Sequence, residues 1–309
     1  MAGLWRWAGG RRPFEARERR WGMSELGERG EEACGCAVHG DLAAGALLLI
    51  GHPGHELRLH GWLAHARPTV AVLTDGSGRS GRSRLDATAE TLDQAGARRA
   101  AGIFGGLSDV DLYQLLLARD AARAFDLAQG IATALVEGAA PALICDAAEG
   151  FNPGHDFCRG LGGFAVRLAA ARGWRGAFYE LPLEGPPVRP GTAPALALDL
   201  CADCFAAKRS RSRDCPDLLP DVDVAERESG LEAFRREAFY ETQVTRAPAA
   251  GADGLGAAEA VPYYELWGQL RVGEGKYANV VRRAGHVLPL FADLETYLRR
   301  ELAVSGGGR

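Results

Sequence analysis

From Gly45 onward the chain alternates two patterns of apolar positions. Short unbroken runs, "ALLLIG", "TVAVLTDG" (Thr69 to Gly76) and "PALICD" (Pro141 to Asp146), predict strands buried on both faces. Between them, apolar residues recur three and four apart in "RLDATAETLDQAGARRA", "LYQLLLARDAARAFDLAQGIATALVEG" and "HDFCRGLGGFAVRLAAARG". These predict helices, the second a single long one stopped by Gly138. "AAGIFGGLSD" predicts one more short strand, and "GAFYELPL" and "PALALDL" two later ones. The alternation implies an α/β, Rossmann-like fold: a mostly parallel sheet with helices on both faces. Past residue 200 the chain turns charged and Pro-rich. Helical segments are expected there around "LEAFRREAFYETQ" and "PYYELWGQLRVGEGKYANVVRRAGHVLPLFADLETYLRRE".

The expected organisation is therefore a mobile N-terminal arm (1–40), an α/β domain (41–200) and a C-terminal helical extension (201–309) packed on the same body. The arm mixes charges of both signs with Gly and three Trp, shows no lasting period, and contains Met23 as an alternative initiator.

Composition narrows the function classes. The 309 residues are 47% apolar and 25% charged, as in ordinary globular proteins. A net charge of −4 offers no global attraction to nucleic acid or to an anionic membrane. No apolar run is long enough to span a bilayer, and the first twenty residues lack the apolar core of a secretory signal. Seven cysteines, an odd number, suggest thiols in a reducing, cytoplasmic setting. "CADC" (Cys201 to Cys204) with Cys215 and "CGC" (Cys34 to Cys36) could be half of a zinc site. No second paired motif matches in spacing and flanks, so ordinary buried or half-buried thiols are the default. Nothing in the pattern sets the oligomeric state.

The chemistry gathers on two loops that follow strand ends, where parallel sheets place ligands. "GHPGHE" presents His52 and His55 three residues apart, and "AAEGFNPGHD" presents His155. Three neutral imidazoles meeting at one point make a tetrahedral zinc site with one position open for water. His39, His60, His65 and His286 have no partner that assigns them a role.

"LLLIGHPGHEL", "VLTDG" and "NPGHD" together resemble the PIG-L or LmbE-like N-acetylglucosaminyl deacetylase family, over roughly residues 45–170. The resemblance implies a Rossmann-like sheet, one divalent metal (zinc as a rule), a small-molecule substrate such as an N-acetylated sugar or related amide, and attack by metal-bound water. His52, Pro53 and Glu56 fit the family's first motif. Its usual catalytic Asp is replaced by Gly54 and its metal-binding Asp by His55. In the second motif the first His becomes Asn152, while Pro153 and His155 remain. The implied ligand set is His52, His55 and His155, which leaves the metal with a charge near +2.

The missing base has three candidates: Glu149, Asp156 and Asp75, of which Glu149 shares its loop with His155. Each has a plainer role, as loop cap, early-helix carboxylate and turn former. Asp156 could instead orient a ligand imidazole, and Asn152 could donate to a developing oxyanion. Arg79, Arg82 and Arg84 in "DGSGRSGRSR" could bind a phosphate or sugar phosphate, although that Gly-rich stretch also suits a solvated loop. Two alternatives stand beside the deacetylase. One is a catalytically silent relative that binds a sugar or nucleotide-sugar. The other is an α/β domain without metal that serves a larger assembly.

Overall fold

The centre of the molecule is a five-strand parallel sheet, extended by three antiparallel strands into a sheet of eight. The structure is a computed structural model and describes residues 34–78, 81–242 and 261–306. Its strands are β1 (Ala37–His39), β2 (Leu47–Ile50), β3 (Thr69–Thr74), β4 (Arg98–Leu107), β5 (Ala142–Asp146), β6 (Ala177–Leu181), β7 (Leu196–Asp199) and β8 (Arg236–Glu241), in the spatial order β1-β7-β8-β6-β5-β2-β3-β4. β4, β3, β2, β5 and β6 are parallel, while β8, β7 and β1 join antiparallel. The helices are α1 (His60–Ala66), α2 (Leu85–Ala95), α3 (Asp109–Ala118), α4 (Ala121–Glu137), α5 (Pro153–Ala171), α6 (Ala202–Arg213), α7 (Leu219–Ser229), α8 (Tyr263–Gly273) and α9 (Leu288–Gly306). The α/β class with a mostly parallel, helix-covered sheet is as expected.

The unbroken apolar runs follow from burial on both faces. Leu47, Leu49, Ala71, Leu73, Leu143 and Cys145 face a core built with α3, α4, α5 and α9. Their neighbours Leu48, Ile50, Val70, Val72, Ala142 and Ile144 face a second core with Trp62, Leu63, Leu92 and Phe205 from α1, α2 and α6. After β2 the chain builds β3 and β4 on one side, then returns to build β5 and β6 on the other. β2 and β5 are neighbours, so their carboxyl ends form the topological switch point.

Four expectations are corrected. "LEAFRREAFYETQ" is not helical: a 3₁₀ turn at Leu231–Arg235 leads into β8, which fills the gap between β7 and β6. Ala238, Phe239 and Tyr240 are buried there, so sheet packing overrides a helix-like composition. The C-terminal part is therefore not only helical. The "long helix" after Leu112 is two helices: Arg119 adopts φ 52° and Asp120 caps the second, its side chain accepting from the Arg123 N–H. The strand in "AAGIFGGLSD" is longer than expected, since β4 runs ten residues from Arg98. Finally, residues 37–39 of the expected arm form β1 on the sheet edge; residues 1–33 lie outside the described residues. No helix among the described residues is long and apolar enough to cross a membrane.

Candidate functional site

β2 ends at Ile50, and the next five residues make a turn whose shape depends on Gly54. Its φ is 109°, a conformation that L side chains avoid, and a Cβ there would lie 2.5 Å from Leu218 Cδ1. The turn is fixed by Glu56, whose buried carboxylate accepts from the Gly54 N–H (2.7 Å) and the Thr88 hydroxyl (2.8 Å). Burial, the largest influence, raises the Glu56 carboxyl above the usual range despite these bonds. His52 and His55 leave the turn on either side of Gly54. The loop after β5 ends at Asn152, which caps α5 by accepting from the Gly154 N–H (2.8 Å). Pro153 opens the helix and His155 sits in its first turn.

The three rings meet at the switch point. Centroids are 5.5 Å apart for His52 and His55, 5.6 Å for His52 and His155, and 4.7 Å for His55 and His155. Their close approach depends on Gly154, where a Cβ would fall 2.7 Å from His52 Nε2.

Two carboxylates stand behind the rings, Asp146 buried and Asp109 half-buried. Asp146, at the end of β5, accepts from His55 Nδ1 (2.8 Å) and from the Gly51 N–H (2.7 Å). Asp109, at the start of α3, accepts from His52 Nδ1 (3.1 Å), beside the Thr74 hydroxyl (2.9 Å from the same nitrogen). A ring nitrogen facing a carboxylate carries a proton, so in the neutral form of either ring the lone pair is on Nε2. Burial alone would raise the Asp109 carboxyl. The His52 ring, Thr74 and the Gly78 N–H outweigh it and hold that carboxyl well below the ordinary range. Burial, and then the neighbouring His55 and His52, push His155 well below the usual imidazole value, so it is neutral at pH 7. His52 Nε2, His155 Nδ1 and Asp146 Oδ1 are buried without a protein hydrogen-bond partner. Buried lone-pair nitrogens in that state are what a cation site requires, and the ligand atoms of the three rings do not all lie within 4.8 Å of one another.

Each of the acids expected to supply the base has at least one oxygen in another hydrogen bond. Glu149 accepts from the Leu183 and Glu184 N–H groups (2.9 Å each). Asp156 orients no imidazole; it accepts from the Gly150 N–H (3.0 Å) and pairs with Arg283 (3.4 Å), tying the His155 loop to the segment before α9. Asp75 forms a turn, accepting from the N–H and hydroxyl of Ser77. Arg82 is exposed and 3.8 Å from Asp217, and Arg84 donates to the Gly76 carbonyl (3.0 Å). Arg79 lies outside the described residues.

A carboxylate that sequence reasoning missed is Glu184, just past β6. Desolvation, and then the charge of Glu149, raise its carboxyl to about 7, while Arg58 and His55 pull the other way. Glu184 is exposed at the surface, and its carboxyl exchanges protons near neutrality. The available signal was its place after a predicted strand, in "ELPLEG". Asp146 had the same signal, being the last residue of "PALICD".

The turn does not accommodate a side chain at position 54. Gly54→Asp is expected to lower stability by ~1–3 kcal/mol through its positive φ, measured by urea unfolding.

No family model matches the sequence, and no curated protein is significantly similar to it. Among solved structures, the crystal structure of the conserved protein TT1542 from Thermus thermophilus is similar at a TM-score of 0.42 and 19% identity, over 68% of this chain and 100% of that one.

Proposed function

We propose that the protein is a metal-dependent hydrolase of the PIG-L or LmbE-like kind, releasing the acyl group of an N-acetylated sugar or related small-molecule amide. The observation that carries this reading is the convergence of the His52, His55 and His155 rings, two of them backed by carboxylates. Zinc held there would supply Lewis-acid polarisation of a carbonyl and a water that ionises near neutral pH. His52 and His55 offer Nε2, and His155, kept neutral by burial, offers a third nitrogen. The rings must draw together somewhat on loading, since ligand nitrogens around one zinc sit ~3.3 Å apart.

The chain's own groups account for two further needs. Asp146 and Asp109 sit one hydrogen bond behind the ligands and return negative charge that the change from Asp to His55 removed. Glu184 is the carboxylate best placed in charge state to take a proton from water and return it to the leaving amine. Asn152 uses its Oδ1 as a helix cap, which leaves its NH₂ as a donor toward a developing negative oxygen.

The test is amine release from a panel of N-acetyl sugars by zinc-loaded protein. With Glu184 as base, kcat/KM rises with pH through about 7 as its carboxyl loses the proton. Glu184→Gln should lower kcat by ~10²–10⁴-fold and abolish that limb of the profile. Zinc bound at the three histidines with no release across the panel would favour the silent, sugar-binding relative.

A further inference from the structure

The pair Cys34 and Cys36 is far in the sequence from the pair Cys201 and Cys204, yet the four sulfurs all lie within 4.8 Å of one another. We propose that these four residues hold a second metal ion, a structural zinc, independent of the histidine site. Among the described residues they are the group of three or more potential ligands that comes this close.

The sheet explains the encounter. β1 pairs antiparallel with β7, with Ala37 opposite Asp199. Cys36 immediately precedes β1, and Cys201 follows β7 by two residues, so both pairs reach the same end of the sheet edge. Cys201 is the N-cap of α6 and Cys204 lies in its first turn. The Cys201 side chain makes no capping hydrogen bond. Its backbone N–H donates instead to Cys36 Sγ at 3.2 Å, a bond that stabilises a negative sulfur, and the positive end of α6 adds to that. Cys36, Cys201 and Cys204 are half-buried within the body that starts at Gly35; Cys34, two residues before Cys36, is exposed. Cys215 takes no part: its thiol is buried and donates to the Arg211 carbonyl.

Four thiolates in a tetrahedron suit zinc, with sulfurs ~3.8 Å apart at Zn–S bonds of ~2.3 Å, so modest contraction completes the site. The need for it is visible at β1. That strand has three residues, all exposed, on the edge of the sheet. So short an edge strand has little holding it in place. A metal joining Cys36 to Cys201 would bind the edge strand to the helix that follows its partner.

Metal content and thiol reactivity of the full chain, purified under reduction, test this. About two zinc ions per chain are expected. The double variant Cys201→Ser, Cys204→Ser loses one and keeps the one that His155→Ala removes, so the two sites fail separately. In the wild type, four thiols should resist a thiol reagent until a chelator is added. Cobalt substitution should give sulfur-to-metal charge-transfer absorption, a readout that holds even if the cysteine variants fold poorly. Unchanged zinc in the double variant, thiols equally reactive with and without chelator, iron in place of zinc, or disulfides among these cysteines under reducing purification would each overturn the proposal.

Discussion

On the proposed hydrolase reading, His155→Ala is expected to remove one divalent ion per chain and to lower amide hydrolysis by ~10³-fold or more, several kcal/mol of barrier being what a Lewis-acidic cation contributes. The reason lies in how unevenly the three rings are held. His52 and His55 each have a carboxylate behind Nδ1, so their orientation survives without metal. His155 has a buried Nδ1 with no protein partner and is kept neutral by burial and its two neighbours. Its place is unfavourable unless something accepts its lone pair. The apo form of the variant should therefore be about as stable as the apo wild type, while zinc no longer raises its Tm. Asp146→Asn gives a graded companion result. It keeps the shape of the side chain but weakens the support of His55, so zinc affinity should fall by ~10–100-fold without vanishing. Equal zinc content and turnover in His155→Ala would end the case for this site.

Glu237→Ala should have the largest effect on stability, a loss of ~3–5 kcal/mol in denaturant unfolding. Glu237 projects from β8 and is fully buried. One oxygen accepts from Lys208 Nζ (2.8 Å) on α6 and the Gly61 N–H (3.0 Å); the other accepts from the Trp62 N–H (2.7 Å). One carboxylate thus ties the late strand, the first helix and α6 together. Deleting it strands a buried ammonium, already lowered in pKa by desolvation, and two N–H groups at the start of α1. The paired change Glu237→Leu, Lys208→Met should recover most of the loss, because no charge is then left alone. If the single variant costs under ~1 kcal/mol, the value typical of exposed pairs, the burial argument is wrong.

The sequence carried much of the sheet and one half of the site. A run such as "LLLI" can only be a strand covered on both faces, and Gly51, Pro53 and Gly54 after it demand a turn at the strand end. Two histidines in that turn, and a third after "PALICD", were therefore bound for one rim once the strands were taken as parallel. The supporting acids were not legible in the same way. Asp109 and Asp146 look like any acid at a helix start or strand end. Only the approach of α3 and β5 to the turn after β2 makes them partners of His52 and His55. Among Glu149, Asp156 and Asp75 the sequence favoured Glu149 for its place on the His155 loop, and each has at least one carboxylate oxygen engaged elsewhere.

By itself the order of apolar and polar positions determined the parallel strands, their covering helices and the loops that bear the three histidines, because periodicity and burial act over a few residues at a time. The tertiary structure decided what depends on neighbours distant in the chain. It placed β8 in the sheet in spite of its helix-like composition, set Asp109 and Asp146 behind two of the histidine rings, and brought four cysteine sulfurs within 4.8 Å of one another. Each of these is a matter of which surfaces meet, and a local pattern holds no record of that.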